Sequence, residues 1–475
     1  MHQARHIGLI GLGVMGRNLA LNMADHGFTV TATDPWPEAR QSLVTELATY
    51  PQPERIRITP GVAELVAALP APRNILLLVK AGATVDSLIA QLTLLLEPGD
   101  TLIDSGNSFY RDTMRRESEL AAQGFHFIGL GISGGEEGAR RGPAMMAGGD
   151  AAAYARIKPV LETIAAHYGD SPCCARVGRN GAGHFVKMVH NGIEYGIMQL
   201  IAEAYLLLRD LGGLDHGRMA ATFRAWNNTE LASYLIEITA EILDKQDELT
   251  GAPLVEMILD QAQQKGTGRW TSEAALEFGI PTPTLSEAVF GRALSALKAE
   301  RLAAAEILPG PSPVPLKTDS AAFIESIRQA LLGSIISCYA QGLALIEAAG
   351  RELDWQIELA TVAGLWRAGC IIRADLLARV MTAYQTPGQS GNLLCTSGFA
   401  QLLATIQPGW RETAALAVTG GIPVPGLLSA LAYFDGLRQP RSAANLIQAQ
   451  RDYFGAHTYE RTDRNGVFHT EWSQL

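Results

Sequence analysis

The sequence is poor in cysteine and has no excess of basic residues. Its 475 residues include five cysteines, whose odd number and scatter argue against a disulfide framework and give no zinc-ligand spacing. We therefore expect reduced thiols and no metal site. With 48 acidic and 38 basic side chains the formal net charge is −10. That charge argues against a nucleic-acid partner, because phosphate contacts need a basic surface.

The sequence also lacks a long, uninterrupted apolar run. No stretch reaches the roughly 18–20 apolar residues that a membrane span needs. The N-terminal letters MHQARHIGLIGLG enter a strand pattern at once, without a basic leader or a small-residue cleavage site. We therefore expect a soluble, cytoplasmic protein with no membrane partner.

Two patterns divide the chain. Residues 1–180 alternate short apolar runs with helical patterns, which predicts an α/β Rossmann-like domain with strands at residues 6–10, 28–33, 75–79, 101–103 and 125–130. Residues 181–440 lack strand signals and predict a large all-α domain. The proline-rich letters LPGPSPVP at 308–315 interrupt it, which suggests two similar helical halves. Residues 441–475 form a C-terminal tail that is too rich in aromatic residues to be a solvated end.

A glycine motif follows the first predicted strand. Gly11, Gly13 and Gly16 fit the dinucleotide fingerprint, in which glycines allow a tight turn and the approach of a pyrophosphate to a helix N-terminus. Asp34 ends the second predicted strand, 18 residues after Gly16, where a carboxylate accepts hydrogen bonds from the adenosine ribose. A plain turn is the alternative, and the strand before the motif and the helix after it favour a dinucleotide site.

Three later loops are expected at the same edge of the sheet. Val79-Lys80-Ala81-Gly82 and Asp104-Ser105-Gly106-Asn107-Ser108 each follow a strand, and open α/β sheets bind ligands at the carboxyl ends of their strands. Ser133-Gly134-Gly135 offers backbone N–H groups and a hydroxyl to an anion. Each loop taken alone is more often a turn or a mobile surface segment than a site.

Four polar residues recur at helical spacing in an otherwise apolar segment. Lys187, His190, Asn191 and Glu194 lie at i, i+3, i+4 and i+7, so they project from one face of a helix. Such a stripe is either a solvated face or the lining of a cleft. The pattern alone leaves both open.

Taken together, these motifs resemble the decarboxylating 6-phosphogluconate dehydrogenases. The resemblance runs from Ile7 to Trp472, and its most specific parts are KMVHNGIEYG and QAQRDYFGAHTYE. It implies oxidative decarboxylation of 6-phosphogluconate to ribulose 5-phosphate and CO2, with reduction of NAD or NADP, in the pentose phosphate pathway. It also implies that 181–440 is the substrate and dimerisation domain of a homodimer, and that the 441–475 tail reaches the partner subunit.

The resemblance implies roles for individual residues. Lys187 corresponds to the base that takes the proton from the C3 hydroxyl, and Glu194 to the acid that protonates C1 of the enediol. Contacts to the sugar acid, its carboxylate or the nicotinamide are implied for Asn107, Ser133, Gly134, Gly135, His190, Asn191 and Tyr195. Contacts to the substrate phosphate are implied for Lys265, Arg292, Arg451 and His457, the last two from the partner's tail. Cofactor contacts are implied for Gly11, Gly13, Val14, Met15, Gly16, Asp34, Val79, Lys80, Ala81 and Asn107.

The sequence departs from the family pattern at four positions. Pro35 replaces the arginine that usually holds the 2′-phosphate of NADP, so Asp34 and Pro35 together favour NAD. Ala144, Ile197 and Arg269 replace the usual serine, aspartate and lysine. Two other protein classes compete with this interpretation: a shorter β-hydroxyacid dehydrogenase of about 300 residues, and a dinucleotide-binding protein without catalysis. The second helical half and the tail disfavour the first, and the presence of both Lys187 and Glu194 disfavours the second.

Overall fold

The chain divides into two compact units between Ala430 and Leu431. The structure, a computed structural model, describes residues 6–264, 266–312, 315, 320–386 and 391–472. The first unit contains an eight-stranded sheet and most of the helices, and the second contains a helix and a two-stranded hairpin.

The strands account for a small part of the described chain. They are β1 (His6–Ile10), β2 (Thr29–Thr33), β3 (Ile56–Ile58), β4 (Asn74–Leu77), β5 (Thr101–Asp104), β6 (His126–Ser133), β7 (Ala144–Gly149), β8 (His167–Tyr168), β9 (Ser171–Pro172), β10 (Cys174–Gly178), β11 (Tyr459–Glu460) and β12 (Val467–Phe468). The large sheet has the order β10-β7-β6-β5-β4-β1-β2-β3. Its six strands from β3 to β6 run parallel, whereas β7 runs antiparallel to β6 and pairs in parallel with β10. This is a doubly wound sheet with its switch point between β1 and β4.

Helices cover the sheet and build the rest of the first unit. They are α1 (Val14–Asp25), α2 (Pro37–Leu47), α3 (Val62–Ala68), α4 (Ala83–Leu92), α5 (Tyr110–Ala121), α6 (Gly135–Arg141), α7 (Ala151–Ile164), α8 (Ala182–Leu206), α9 (His216–Trp226), α10 (Tyr234–Asp244), α11 (Leu254–Met257), α12 (Thr267–Glu277), α13 (Pro283–Ala296), α14 (Lys298–Ile307), α15 (Ser320–Glu352), α16 (Leu359–Leu365), α17 (Leu376–Gln385), α18 (Ser397–Gly420), α19 (Pro425–Leu437) and α20 (Ala444–Gly455).

The sheet is buried on both faces because its strands are apolar on both sides. In β1, Ile7 and Leu9 pack into one hydrophobic cluster with Leu19 of α1. Ile10 points the other way and packs with Leu65 of α3. Alternate residues of a strand face opposite sides, so one short strand supports both cores.

Five predicted strands correspond to β1, β2, β4, β5 and β6, and the prediction of a Rossmann-like domain followed by a helical domain is confirmed. Sequence analysis missed β3, β7 and β10. β3 has only three residues, and β7 has the sequence AMMAGG, which contains none of the β-branched or aromatic residues that favour strands. β7 and β10 extend the sheet beyond β6. The similarity of the two helical halves stays a prediction.

The helical part is built around two long helices that pack against each other, α8 and α15. The proline-rich segment separates α14, which ends at Ile307, from α15. α15 is long and apolar enough to cross a membrane, but 89% of its most apolar window is buried inside the fold, as in the central helix of a core. All five cysteines are free thiols, and only Cys395 is exposed. The cytoplasmic location stays a prediction.

Candidate active site

α8 lies directly on the sheet because small residues line the contact. A Cβ atom on Gly131 of β6 would lie 2.4 Å from the Cβ of Lys187, so only glycine allows this approach. Two residues further along β6, Ser133 ends the strand at its carboxyl edge. The close packing therefore brings the polar stripe of α8 to the edge where the sheet binds ligands.

Three of the four polar residues of α8 form a hydrogen-bonded cluster, and Glu194 lies beside it. Lys187 Nζ donates to Asn191 Oδ1 at 2.6 Å and lies 3.4 Å from His190 Nδ1. His190 connects the cluster to the sheet, since its Nε2 lies 3.3 Å from Ser133 Oγ. Glu194 Oε2 lies 3.8 Å from His190 Nδ1. Lys187 is 7% exposed and His190 is fully buried, so the stripe lines a cleft and is not a solvated face.

Burial brings the pKa values of Lys187 and Glu194 closer together. It lowers the pKa of Lys187, although the neighbouring Glu194 and Cys370 oppose the shift. It raises the pKa of Glu194, although Lys187 and Arg292 oppose the shift. A lowered lysine pKa increases the neutral fraction that can accept a proton near neutral pH, and a raised glutamate pKa increases the protonated fraction that can donate one. The same helix face therefore holds a base and an acid.

Aromatic and cationic side chains extend the cleft beyond Glu194. The guanidinium carbon of Arg292 lies 3.4 Å from the centre of the Tyr195 ring, and Arg292 Nη1 donates to the carbonyl oxygen of Gln263 at 3.0 Å. This contact places a cation beside the residue that follows Glu194. Lys265, another predicted phosphate contact, lies outside the described residues.

The glycine motif has the geometry of a ligand-binding turn. Gly11 has φ +108°, and a Cβ there would lie 2.4 Å from the carbonyl oxygen of Leu78. Gly13 begins α1 as its N-cap, and a Cβ there would meet no protein atom within 4 Å. That open space at a helix N-terminus fits a dinucleotide pyrophosphate. Val14 is half exposed beside it, and Met15 packs against the core.

A cavity beside this turn fits the adenosine end of a dinucleotide. Its volume is about 210 Å³, and it is lined by Ile10, Thr33, Asp34, Pro35, Pro60, Gly61, Val62, Val79, Thr84, Ser87, Leu88 and Gln91. Lys80 and Ala81 follow Val79 in the turn between β4 and α4, and Asn107 is exposed in the turn between β5 and α5. The predicted cofactor residues thus lie in turns at the carboxyl ends of parallel strands or, for Val14, Met15 and Gly16, in the first turn of α1.

Asp34 has partners that sequence analysis did not foresee. One carboxylate oxygen accepts from the backbone N–H of Leu12 at 2.6 Å, and the other accepts from that of Trp36 at 2.8 Å. Each oxygen keeps a second lone pair for a ribose hydroxyl. The Arg40 guanidinium donates to the backbone carbonyl of Asp34, which puts a cation next to the cavity.

The Ser133-Gly134-Gly135 loop leads from β6 into α6. Gly134 has φ +121°, and a Cβ there would lie 2.6 Å from the carbonyl oxygen of Gly369. At Gly135 a Cβ would meet no atom within 4 Å. The turn is therefore closely packed at Gly134 and open at Gly135, where φ is +64°.

The tail unit is organised by one buried carboxylate. Asp452 accepts hydrogen bonds from the backbone of Thr458 and Thr470, from His469 Nδ1 and from Trp472 Nε1, at 2.8–3.1 Å. These bonds close the turn that contains the exposed His457. Arg451, the neighbour of Asp452, is also exposed and donates to Gln448 Oε1 at 3.0 Å. Within this unit both predicted phosphate contacts are free of ion pairs among the described residues.

Three of the four departures from the family pattern lie away from the cofactor cavity and have different surroundings. Ala144 pairs with Ser133 across β6 and β7. Ile197 is buried and lines a small apolar cavity with Leu235 and Tyr339. Arg269 is exposed, and its Nε lies 3.3 Å from a carboxylate oxygen of Glu273.

Sequence analysis gave no role to one aromatic residue of the cluster. The Trp366 ring meets the His190 ring edge to face, with centroids 5.5 Å apart. Trp366 is fully buried and prevents His190 from turning away from Ser133. Trp366 lies in the sequence WRAGCIIRA, and nothing in the spacing of its residues points to a site on α8.

Comparison with known proteins gives matches over nearly the whole chain. The models of the 6-phosphogluconate dehydrogenase C-terminal domain and of the NAD binding domain of 6-phosphogluconate dehydrogenase match residues 183–472 and 6–178. Two Bacillus subtilis relatives are decarboxylating 6-phosphogluconate dehydrogenases. The NADP(+)-dependent one is 49% identical and the NAD(+)-dependent one 48% identical, each over 98% of this chain and 99% of its own length.

A solved structure is similar over the same extent. The structure of Plasmodium falciparum 6-phosphogluconate dehydrogenase, described in its apo form and in complex with NADP+ and with 6-phosphogluconate, matches with a TM-score of 0.94 and 39% identity. It covers 98% of this chain and 100% of that one. On this evidence from sequence and fold, the chain belongs to the 6-phosphogluconate dehydrogenase family.

Proposed function

We propose that this chain oxidatively decarboxylates 6-phosphogluconate to ribulose 5-phosphate and CO2, with a nicotinamide dinucleotide as oxidant. The observation that supports this most strongly is the polar cluster on one face of α8, next to Ser133, in which Lys187 donates to Asn191 and Glu194 lies 3.8 Å from His190. The bound cofactor supplies the hydride acceptor. Every other step is carried out by side chains of the chain itself.

Lys187 is the base of the first step. Its ammonium group is desolvated, so a fraction of the side chain is neutral near neutral pH and can take the proton from the C3 hydroxyl. Once protonated, it donates a hydrogen bond to the new C3 carbonyl oxygen. That carbonyl is β to the carboxylate, so it accepts the electron pair that C1–C2 cleavage releases. The reaction needs no metal for this step.

Glu194 completes the reaction. After CO2 leaves, the remaining enediol must gain a proton at carbon to become the ketose. The raised pKa of Glu194 keeps a proton available on this carboxyl, and its position one turn beyond His190 places it along the same cleft. The base and the acid therefore act on different atoms of one substrate.

The cations that hold the substrate are concentrated locally. The phosphate and carboxylate groups of the substrate together carry about three negative charges. The formal net charge of the protein is −10, so binding requires cations close to the substrate. We assign the carboxylate end to Ser133 and the N–H groups of Gly134 and Gly135. We assign the phosphate end to Arg292, with Arg451 and His457 of a second subunit.

The activity is tested by comparing initial rates on 6-phosphogluconate and on short 3-hydroxy acids, each with NAD and with NADP. We expect turnover only with 6-phosphogluconate, because a short hydroxy acid has no phosphate group to bind at the Arg292 end of the cleft. Preference for a short hydroxy acid would favour the β-hydroxyacid dehydrogenase alternative. No turnover with any of them would favour a protein without catalysis.

Glu194→Gln is expected to slow the late protonation and leave hydride transfer intact. Gln cannot donate a proton to carbon, so reduced nicotinamide should form in a rapid burst equal to the active-site concentration, followed by turnover about 10²–10⁴-fold slower than in the wild type. Stopped-flow absorbance measures both phases. The exposed Glu273→Gln serves as the matched control and should behave as the wild type. A mutant without a burst would contradict the assignment of Glu194 to the later step.

We further infer that the enzyme prefers NAD. The Asp34 carboxylate would repel the doubly charged 2′-phosphate of NADP, and Pro35 cannot supply the guanidinium usual at its position. Loss of a charge-assisted contact of about 1.5–3 kcal/mol lowers NADP affinity by about one to two orders of magnitude. The ratio of kcat/KM for the two cofactors measures this, and a tenfold preference for NADP would contradict it.

Arg40 is the matched test of that preference, because its guanidinium already contacts the Asp34 backbone. If Arg40 holds a 2′-phosphate, Arg40→Met should lower kcat/KM for NADP alone. We expect Arg40→Met to leave the ratio within about threefold of the wild type, since the loss of one screened, part-exposed charge has small effects.

We infer a homodimer from an apolar surface on α13 and α14. Phe290, Leu294, Leu302 and Ile307 on these helices are each more than half exposed. Contiguous exposed apolar residues of this size mark interaction sites. A second copy of the chain covers this surface and brings its tail to the phosphate end of the cleft.

A further inference from the structure

Arg116 of α5 is almost completely buried, although arginine is rarely so. All three of its guanidinium nitrogens donate hydrogen bonds. Nη1 donates to Asp104 Oδ2 at 3.2 Å and to Ser108 Oγ at 3.4 Å, Nε donates to Asp86 Oδ1 at 2.8 Å, and Nη2 donates to the carbonyl oxygen of Gly82 at 3.0 Å. One side chain thus connects the start of α4 with the turn that follows β5.

The Arg116 partners frame the two turns that we assign to the nicotinamide end of the cofactor. Gly82 closes the turn that contains Lys80 and Ala81. Asp104 and Ser108 bracket Asn107, and the Asp104 carboxylate also accepts from Ser108 Oγ at 2.6 Å and from the Gly106 N–H at 3.2 Å. Lys80 and Asn107, which would contact the ligand, are exposed, whereas Asp104, Ser108 and Arg116 are buried.

The same helix also contacts α8. Thr113 lies one turn before Arg116, and its hydroxyl is 2.7 Å from Nδ1 of His184. His184 is fully buried and lies one turn before Lys187 on the same face of α8. α5 is therefore hydrogen-bonded at one point to the cofactor turns and at another to the helix that carries the base.

We infer that Arg116 is a positioning residue that fixes the distance between the nicotinamide and the substrate C3 held at Lys187. The inference rests on the proposed function, and it further assigns the 79–82 and 104–108 turns to the nicotinamide end of the cofactor. Hydride transfer requires the reacting atoms to lie about 3–3.5 Å apart, and a displacement of 1 Å can cost a hundredfold in rate. A single guanidinium that holds both turns is suited to set this distance.

Arg116→Lys tests the inference, with Arg115→Lys as its matched control. Lysine keeps the charge beside buried Asp104, but a single ammonium cannot reproduce the planar fork that bonds both turns. Arg115 is the adjacent residue; it is exposed, and it also contacts Asp86, at 2.8 Å, but it has no bond to either turn. We expect Arg116→Lys to lower kcat by about tenfold or more, whereas Arg115→Lys stays within about twofold of the wild type.

Two further readouts separate positioning from a general loss of structure. The deuterium isotope effect on kcat with substrate deuterated at C3 should rise in Arg116→Lys, since hydride transfer becomes slower. Inhibition by ADP-ribose, which lacks the nicotinamide, should keep its wild-type constant. The inference would be overturned if kcat and the isotope effect were unchanged. It would also be overturned if the inhibition constant of ADP-ribose rose by the same factor by which kcat fell.

A milder variant covers the case in which Arg116→Lys does not fold. Ser108→Ala removes one partner of both Arg116 and Asp104 and should raise the same isotope effect with a smaller loss of kcat, and no rise would overturn the inference. If the wild-type chain does not turn over 6-phosphogluconate, the proposed function fails on its own. The inference is then decided by affinity: Arg116→Lys should weaken binding of reduced dinucleotide relative to ADP-ribose, and an equal change in both would overturn it.

Discussion

Lys187→Met is expected to lose about 10²–10⁴-fold in kcat, because no other group in the cluster can take the proton from the C3 hydroxyl. Methionine has a similar volume to lysine and no charge. It should fill the space between α8 and β6 that Lys187 occupies, so the fold should be retained. Of the neighbours, His190 has its pKa well below the ordinary value through burial and the charge of Lys187. A weakly basic imidazole is a poor substitute for the base.

The control is a lysine of the same unit that is remote from the cleft. Lys158 of α7 is exposed, and its Nζ lies 3.6 Å from a carboxylate oxygen of Glu162. Lys158→Met should keep wild-type activity. Cofactor affinity, measured by the quenching of tryptophan fluorescence, should be unchanged in both variants. A Lys187→Met enzyme with a tenth or more of the wild-type kcat would remove the assignment of the base.

A mixed dimer of Lys187→Met and Arg451→Ala chains is expected to recover activity that neither homodimer has. If each tail completes the partner's site, one of the two sites in the mixed dimer has an intact Lys187 and an intact Arg451, so it should show about half of the wild-type activity. The Arg451→Ala homodimer should have a KM for 6-phosphogluconate raised by about one to two orders of magnitude. Rates are therefore measured at substrate concentrations well below KM, with differently tagged chains purified as the heterodimer.

Arg464→Ala is the matched control within the tail, since Arg464 is exposed and pairs only with Asp463 among the described residues. Its homodimer should keep a wild-type KM. A chain that ends at Leu437, the last residue of α19, should lose both tail contacts to the phosphate, Arg451 and His457, and either show the largest rise in KM or fail to fold. A verified heterodimer without recovery would exclude shared sites.

Sequence patterns predicted the structure correctly where it depends on residues that are close together in the chain. The glycine motif between β1 and α1 and the polar spacing on α8 are both local, and the structure places each where the pattern predicts. Helical periodicity could not decide between a solvated face and a cleft for Lys187. That choice depends on Gly131, which is more than fifty residues away in the sequence and permits α8 to lie against β6.

Long-range contacts explain most of what the sequence did not reveal. β7 consists of alanine, methionine and glycine, which have low strand propensity or no strand preference. It pairs with β6 and packs against α8, so we attribute the strand to these long-range contacts and not to propensity. Arg116 lies in a polar helical segment, and this pattern predicts a solvated side chain. In the structure it is buried by partners from two other turns. The hydrogen bonds of Asp34 to Leu12 and Trp36 depend equally on the backbone of neighbouring turns.

The most direct test of the account is the fate of C1 during a single turnover. With 6-phosphogluconate isotopically labelled at C1, we predict that all of the label is released as CO2, in amounts equal to the reduced nicotinamide formed, and that ribulose 5-phosphate is the product. Lys187→Met should form neither labelled CO2 nor reduced nicotinamide. Glu194→Gln should form reduced nicotinamide before it releases the ketose product. Reduced nicotinamide without labelled CO2 would contradict oxidative decarboxylation.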